Sequence, residues 1–394
     1  MSLAALNPTW VKKQVQAYRN KMLVGKSICK YEPREFLVSG DTINFGLTPD
    51  VRSQSYTAGV NLEIDAVSAT SDFLHISRTE AVTFSLDLTQ VAQSAVKNLE
   101  AVTSKQAAHR LSANVDQVVL ESGTSEAEGS LYGGVVTTLS NSTTHKAFAD
   151  ANAELHYQAA GSGRKFAVVD PATASLLSQE LAASGNAVAD STLRNGFKGT
   201  IDGFDVYVSN NLKSTMDLTV KTNPTAGDTM TVLGQTWYFV ANGTAASAGE
   251  ISIGGSAAAT QAIVVDALNG TGTPGASTYI ALTTMKRRVY QAASIACGSF
   301  VADVAIITGY GRLGGSETFT DGGDGFGVES NSLLFGLYGA IALAMQVTPQ
   351  MKKDGINAQI ADEYKIWQLF GTGVFERNAA QLVVLNNRVA ATTI

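Results

Sequence analysis

The chain has 394 residues, of which 45% are hydrophobic and 16% are charged, and its net charge is −6. This length predicts two or three folded units with ample apolar residues for their cores. Charged residues make up about a quarter of a typical soluble protein. So low a content is typical of a Gly- and Ala-rich domain, or of a protein that buries much of its surface against partners. Two cysteines, Cys29 and Cys297, argue against a disulfide scaffold and fit a reducing cytoplasm.

The N-terminal segment differs in charge from the rest of the chain. Residues 1–40 hold seven basic and two acidic residues, a net +5, which leaves −11 for the remainder. Apolar residues recur there at a loose helical period, and we expect an arm that packs on another subunit. A solvated amphipathic start is the alternative. No apolar h-region is present, so no signal peptide is expected. The most apolar run, Leu333–Met345, is too short to span a bilayer and predicts a buried strand or core helix.

Residues 41–86 predict two strands on either side of a polar excursion. Asp41–Leu47 alternates apolar and polar residues, Asn61–Val67 resumes the strand pattern, and Val82–Leu86 alternates again. This pattern indicates a protruding two-stranded loop. Because a lone hairpin is not stable in water, the loop needs a surface to lie on.

The longest predicted element is a helix over Asp87–Gly123. Apolar residues recur at helical spacing on one side, and the other side is polar. Asp87 is placed to cap its first turn and Gly123 to end its last. A rise of 1.5 Å per residue gives a rod of roughly 50 Å, longer than an ordinary globular domain needs. The alternative is a long surface helix in an α+β enzyme.

Alternating elements follow from residue 124 to the C-terminus. Two helices, the strand Lys165–Asp170 and a strand pair turning at Asp202-Gly203 predict a compact α/β unit. Residues 213–324 are rich in Gly, Ala, Ser and Thr, with a strand pair turning at Leu233-Gly234, further strands and two helices. They predict an inserted α+β module that ends in a glycine-rich linker. The tail predicts apolar strands, one ending at Pro349 and two joined by a turn at Gly371-Thr372-Gly373.

No motif in the sequence predicts catalysis or metal binding. The four histidines, His75, His109, His145 and His156, have no HxxH or HExxH spacing. Gly161–Lys165 lacks the spacing of a phosphate loop, and Asp321–Gly325 lacks the closing glutamate of an EF-hand and is interpreted as a flexible linker. No nucleophile motif or dinucleotide fingerprint is present. We therefore expect no enzyme activity, no cofactor and no metal.

Several segments together resemble the major capsid proteins of tailed phages, which share the Hong Kong 97-type fold. The resemblance rests on the arm, the GDTINF strand, VTFSLDLTQ before the long helix, KFAVVDPATASLL, and above all Asp190–Asn211. It implies an α+β fold in this order: 1–40 N-terminal arm; 41–86 extended loop; 87–125 spine helix of the peripheral domain; 126–212 axial domain; 213–324 inserted surface domain; 325–394 return through the axial domain to the peripheral sheet.

The resemblance also implies a function. It is that of a head protein that self-assembles as pentamers and hexamers into an icosahedral shell around double-stranded DNA, contacted non-specifically. The implied location is the virion, after assembly in the host cytoplasm. Implied partners are portal and scaffolding proteins and a decoration protein, with no membrane. Candidates for contacts between subunits are Trp10, Tyr18, Asp50, Arg52 and Arg78.

One feature departs from some relatives, which crosslink a lysine of the extended loop to a neighbour. No lysine occurs between Lys30 and Lys97, so we expect a shell without covalent crosslinks. Two other functions remain open. One is an encapsulin-like compartment enclosing a cargo enzyme. The other is a carbohydrate- or host-binding adhesin in residues 213–324, with Trp237, Tyr238 and Tyr279 as stacking platforms, although aromatic residues in strands are more often core.

Overall fold

The computed structural model describes residues 24–31, 42–47, 55, 70–87, 99–158, 160, 162–183, 200–320, 323–355 and 361–388. The chain forms two compact units, each built from two segments. Unit 1 comprises 1–127 and 338–381, and unit 2 comprises 128–337 and 382–394.

The described elements of unit 1 are mostly long strands around one long helix. The helices are α1 (Gly25–Ile28), α2 (Leu99–Ser125) and α7 (Glu376–Ala379). The strands are β1 (Lys30–Tyr31), β2 (Thr42–Leu47), β3 (Thr70–His75), β4 (Arg78–Asp87), β19 (Ile341–Gly355) and β20 (Ala361–Val374).

Unit 2 contains shorter elements. Its α-helices are α3 (Thr144–Tyr157), α4 (Pro171–Ala183), α5 (Ala257–Asn269) and α6 (Thr284–Ala293). Its strands are β5 (Gly129–Ser130), β6 (Thr137–Thr138), β7 (Lys165–Val169), β8 (Thr200–Ile201), β9 (Phe204–Val208), β10 (Lys213–Thr219), β11 (Thr229–Val232), β12 (Gln235–Val240), β13 (Glu250–Ser252), β14 (Ala296–Cys297), β15 (Val304–Tyr310), β16 (Ser316–Glu317), β17 (Gly325–Phe326), β18 (Ser330–Leu337) and β21 (Leu382–Arg388).

A sheet of four described strands, in the order β1-β19-β20-β4, supports the long helix of unit 1. Leu111 of α2 is fully buried and forms an apolar cluster with Ala107 and with Ile366 of β20. The rings of Phe84 and Tyr364 stack across β4 and β20 at 5.0 Å between centroids. The helical period of the sequence therefore directs one stripe of α2 onto the sheet, as predicted.

The C-terminal end of α2 differs from the prediction, whereas its start is not described. Asp87 is the last residue of β4 and pairs with Ala361 of β20. The predicted cap at Asp87 stays a prediction, because residues 88–98 lie outside the described part of the chain. Gly123 does not end the helix, which continues to Ser125. The side-chain hydroxyls of Thr124 and Ser125 donate to carbonyl oxygens of the last turn, which supports its continuation.

The predicted strand at 41–47 is present as β2, but its partner is β3, over residues not predicted as a strand, and the predicted strand Val82–Leu86 lies in β4 and pairs with β20. Strands β2 and β3 pair antiparallel from Thr42↔His75 to Leu47↔Thr70. Ile43 and Leu74 are buried against Ala342 and Ala344 of β19. The loop therefore has the surface that such a hairpin requires. The strand predicted at residues 61–67 lies outside the described residues.

Two predicted interruptions of the tail strands are wrong. Strand β19 continues past Pro349, which lies in a stretch of register shifts between Met345 and Gln350, where a proline removes no regular ladder bond. Strand β20 runs through Gly371-Thr372-Gly373, and the chain turns only after Val374, at α7. The glycine at 371 has a packing cause, since a Cβ there would clash with the carbonyl of His75.

Unit 2 is organised on a sheet of eleven described strands whose main path is β14-β15-β10-β18-β7-β9-β8. The strand pair turning at Asp202-Gly203 is confirmed as β8 and β9. The rings of Phe148, Phe204 and Phe335 meet edge to face at 5.2–6.2 Å between centroids. Asn387, also buried, accepts from the Leu139 N–H and donates to Thr173 Oγ1.

Residues 213–320 add a second apolar cluster to unit 2. A small sheet in the order β13-β12-β11-β16 packs with α5 and α6, and its strand pair turns at Leu233-Gly234 as predicted. Every residue of the cluster lies between Met216 and Phe326. Strand β10 pairs both with β15 and, at Ser214 and Thr215, with β18 of the larger sheet. Main-chain pairing thus joins this region to the strands that follow it.

Candidate assembly surfaces

The first candidate surface is the base of the two-stranded loop. Asp72 of β3 accepts the N–H of Glu376 at 2.8 Å, and Glu126, just after α2, accepts the N–H of Val374 at 2.6 Å. Burial raises the pKa of the Glu126 carboxyl, the hydrogen bond from Val374 lowers it, and the nearby Asp72 carboxylate raises it, with a net increase. Two carboxylates therefore fix the end of β20 beside the loop.

The second surface is the segment after the arm. The backbone N–H of Val24 donates to Asp116 Oδ1 at 2.8 Å, and that of Gly25 donates to the same oxygen. Asp116 is fully buried on α2. Strand β1 then pairs in parallel with β19 at Lys30↔Ala342 and Tyr31↔Leu343. The chain that leads out of residues 1–23 is therefore anchored on both the long helix and the sheet.

The predicted contact residues are placed only in part. Arg78 is exposed at the start of β4, beside Phe370 in register. Asp50, Arg52, Trp10 and Tyr18 lie outside the described residues, and the contacts predicted for them stay predictions.

The far end of the β19–β20 ribbon is a charged surface that the sequence analysis missed. Lys353 Nζ lies 2.8 Å from Asp362, Lys365 Nζ 3.0 Å from Glu363, and Lys352 Nζ 3.3 Å from Asp354. Lys353 also lies over the Tyr364 ring at 5.3 Å. The signal was the pair of complementary sequences, MKKDG and ADEYK, that face one another across the ribbon. Exposed pairs of this kind contribute under about 1 kcal/mol each. The ribbon end is therefore a charged surface whose ion pairs add little to the stability of the fold.

The proposed stacking platforms are mostly core. Trp237 and Tyr279 are 1% and 2% exposed, and only Tyr238 is half-exposed. Trp237 Nε1 donates to the Tyr290 hydroxyl at 3.0 Å. Successive side chains of a strand point to opposite faces of the sheet, so β12 buries Trp237 and exposes Tyr238. The interpretation of Trp237 and Tyr279 as sugar platforms is therefore wrong.

The glycine-rich linker contains ordered contacts. Asp324 accepts from the N–H groups of Lys221 and Thr222 and from the Thr222 hydroxyl, at 2.6–3.1 Å. Burial acts to raise the pKa of the Asp324 carboxyl, but these hydrogen bonds and the Lys221 charge outweigh it, and the pKa lies below its usual value. Glu329 accepts from the N–H groups of Leu313 and Gly314. Asp324 thus joins the end of this region to residues 221 and 222 near its start by hydrogen bonds, and is not part of a simple flexible linker.

Potential metal ligands do not cluster among the described residues. No three His, Cys, Asp or Glu side chains among them are placed to hold a metal ion. His75 contacts Thr42, His145 lies 3.4 Å from Asp202, and His156 lies 3.3 Å from Lys165. The two cysteines form no disulfide, and burial raises the pKa of Cys297 to about 12. Among the described helices, none is both long and apolar enough to cross a membrane.

Comparisons with solved structures agree with this architecture. A structure from Mycobacterium phage Che8 matches with a TM-score of 0.56 and 13% identity, over 92% of this chain and 91% of that one. The capsid of Ralstonia phage GP4 matches with a TM-score of 0.50 and 12% identity, over 95% and 93%. No family model and no curated protein matches the sequence.

The long helix on a four-stranded sheet, the two-stranded loop and the separate mixed unit define an α+β fold of the Hong Kong 97 type. This is the fold of the major capsid proteins of tailed phages.

Proposed function

We propose that this protein is the major capsid protein of a tailed phage, which self-assembles into an icosahedral shell enclosing double-stranded DNA. The observation that supports it best is the match over more than nine tenths of both chains to the Che8 structure, with the GP4 capsid as a second match of equal extent. The role is structural, not enzymatic. The partners are further copies of the chain, as pentamers and hexamers, together with portal and scaffolding proteins and packaged DNA, and the location is the virion.

The shape of unit 1 supports assembly on identical copies. The described base of its loop, β2 and β3, and the charged end of the β19–β20 ribbon carry exposed side chains, and such surfaces gain stability when neighbours cover them. Residues 1–40 serve as the arm, 41–86 as the extended loop and 87–125 as the spine. Arg78, Asp50 and Arg52, with Trp10 and Tyr18, supply contacts between subunits.

Residues 213–324 serve as a surface module of the shell. Their separate apolar cluster supports this assignment, whereas the β10–β18 pairing ties the module to the axial strands. A deletion that tests the module should therefore keep the start of β10. Replacing residues 220–323 with a short Gly/Ser bridge retains the β10 residues that pair with β18.

Electron microscopy of the full chain, expressed alone and with its neighbouring phage genes, tests the proposal. Closed shells or tubes are expected, with DNA inside particles made in infected cells. Shells that enclose a protein and no nucleic acid would instead establish an encapsulin-like compartment. Dispersed monomers under every assembly condition would contradict both functions.

A further inference from the structure

Three side chains at one cavity have hydrogen-bond donors that no described residue accepts. Arg287 and Tyr290 belong to α6, Ser294 is its C-terminal cap, and their spacing of three and four residues places them on one helix face. All three line a cavity of about 310 Å³, which residues at the end of α5 also line. Ligand sites span about 300–1,000 Å³. The cavity is therefore large enough for one compact molecule.

The hydroxyl of Tyr290 is the buried donor. Tyr290 is 7% exposed, and its hydroxyl accepts a 3.0 Å hydrogen bond from Nε1 of Trp237, which also lines the cavity. Burial raises the pKa of Tyr290 to about 12, although the bond from Trp237 acts to lower it, so the phenol keeps its proton at neutral pH. No hydrogen bond between described residues uses that proton. A buried donor without an acceptor is unfavourable, and an oxygen of a ligand removes this cost.

Ser294 occupies a backbone position that usually belongs to glycine. It caps α6 at φ 47° and ψ 49°, in the left-handed region, whereas the corresponding cap of α5 is Gly270 at φ 67°. A Cβ is strained in this conformation, and left-handed C-caps therefore favour glycine. The Ser294 hydroxyl makes no hydrogen bond within the described part of the chain. A strained residue that gives the fold no bond in return, at the wall of a cavity, indicates a binding surface.

Arg287 supplies the positive charge of the site. Its guanidinium takes part in none of the ion pairs or hydrogen bonds between described residues. Its charge acts at the cavity wall: burial and the Asp266 carboxylate raise the pKa of Tyr279, whereas Arg287 lowers it. Asp266 itself does not line the cavity, and its carboxylate accepts from the Thr271 hydroxyl. Because arginine binds a carboxylate through two parallel hydrogen bonds, the polar end of the ligand is expected to be a carboxylate.

The remaining walls of the cavity are mostly apolar or aromatic. Their side chains include Trp237, Leu268, Pro274, Tyr279, Leu282 and Ile295. The side-chain amide of Asn269 is already bonded to the N–H and the carbonyl of Cys297. Such walls favour an apolar, aromatic body. A sugar, whose hydroxyls need many partners, and a free phosphate ion, which has no apolar body, both match these walls poorly.

We propose that this cavity binds a compact aromatic carboxylate with a second oxygen at the far end of its ring. The carboxylate accepts from Arg287 and Tyr290, the ring contacts the apolar walls, and the second oxygen accepts from Ser294. Tyr290 and Ser294 are about 6 Å apart along the helix axis, comparable with the length of a para-substituted phenyl ring. The site lies within residues 213–320 and does not depend on the shell function.

The test is calorimetric titration of the full chain with 3-(4-hydroxyphenyl)propionate and with its uncharged amide. Arg287→Gln should weaken binding of the carboxylate about tenfold, because charge-assisted hydrogen bonds are lost, and should change binding of the amide less than twofold. Arg288→Gln is the matched control. Arg288 is exposed and adjacent in sequence but does not line the cavity, so its removal should change binding of either ligand less than twofold.

Ser294→Gly separates binding from folding. It should raise the melting temperature, because glycine relieves the left-handed strain, yet weaken binding of the hydroxylated ligand about threefold. Binding of 3-phenylpropionate, which lacks the second oxygen, should not change. No binding to the parent chain at millimolar ligand, equal losses in Arg287→Gln and Arg288→Gln, or unchanged binding of the hydroxylated ligand in Ser294→Gly would each overturn the proposal. If Arg287→Gln fails to fold, Ser294→Gly with the two ligands still decides.

Discussion

Asp116, buried in the middle of α2, accepts a 2.8 Å hydrogen bond from the backbone N–H of Val24. The N–H of Gly25 donates to the same oxygen, and a Cβ at Gly25 would press on it. One carboxylate on the long helix thus fixes the point at which the chain leaves residues 1–23.

Asp116→Ala should destabilise unit 1 by about 1–3 kcal/mol, because two buried N–H groups lose their acceptor. Asp116→Asn keeps an oxygen at that place and should cost less. Urea unfolding measures both, with Lys105→Ala, an exposed change on the same helix, as the control. Equal stability of Asp116→Ala and the parent chain would show that the anchor contributes nothing.

Leu111→Ala should destabilise the packing of α2 on its sheet by about 2–5 kcal/mol, since it leaves a cavity beside Ile366. Gln368→Met should be far milder. Gln368 is fully buried and its Nε2 donates to the Leu111 carbonyl, but its Oε1 has no partner. Removing an unsatisfied oxygen offsets the lost hydrogen bond. Thermal unfolding of the two variants measures the difference in stability between them. A larger loss of stability in Gln368→Met than in Leu111→Ala would contradict the prediction.

Asp324→Asn should destabilise unit 2 in a pH-dependent manner. A carboxyl whose folded pKa lies below its unfolded value of 3.8 stabilises the fold above that value, and loses this effect as pH falls through the folded pKa. The difference in the free energy of unfolding between the parent chain and the variant should thus be largest at pH 7 and should shrink below about pH 4. Asp217→Asn, exposed on β10, is the control. A difference in unfolding free energy that does not change with pH would mean that the charge of Asp324 is not what stabilises the fold.

Cys297 should resist alkylation in the native protein, because burial raises its pKa to about 12 and leaves almost no thiolate at pH 8. A Cys29→Ser variant isolates the signal. We expect labelling by iodoacetamide only as unit 2 opens in urea, in step with its unfolding. Rapid labelling without denaturant would refute the burial of this thiol.

Purified particles should run as a single monomer band on denaturing gels, because no lysine lies between Lys30 and Lys97 to crosslink the extended loop. The sample is boiled in SDS with reductant, so that free thiols cannot produce a false ladder. A ladder of covalent oligomers would contradict the expectation.

The sequence was most informative where periodicity and turn chemistry agreed. The helical stripe of α2 and the turns at Asp202-Gly203 and Leu233-Gly234 follow from residue patterns alone. It failed where distant backbone decided the outcome. The sequence pattern predicts a turn at Gly371. The structure instead requires glycine there because the carbonyl of His75, which is remote in sequence, leaves no room for a Cβ. Trp237 was a candidate platform because alternation does not say which face of a strand is covered, and the structure shows the commoner outcome, a core position.

The candidate surfaces were harder to predict for the same reason. The carboxylates of Asp116, Asp324 and Glu126 all serve backbone N–H groups far along the chain. Nothing in local sequence spacing identifies such a residue. The charged ribbon end, in contrast, could have been predicted from the two complementary sequences MKKDG and ADEYK.

Strand β10 has a mechanical consequence. Because it pairs with β15 on one side and with β18 on the other, a force applied to β15 passes into the rest of the eleven-stranded sheet through main-chain hydrogen bonds. A foreign epitope grafted at the exposed turn 301–303, which leads directly into β15, would therefore be held in a fixed orientation and not on a flexible tether.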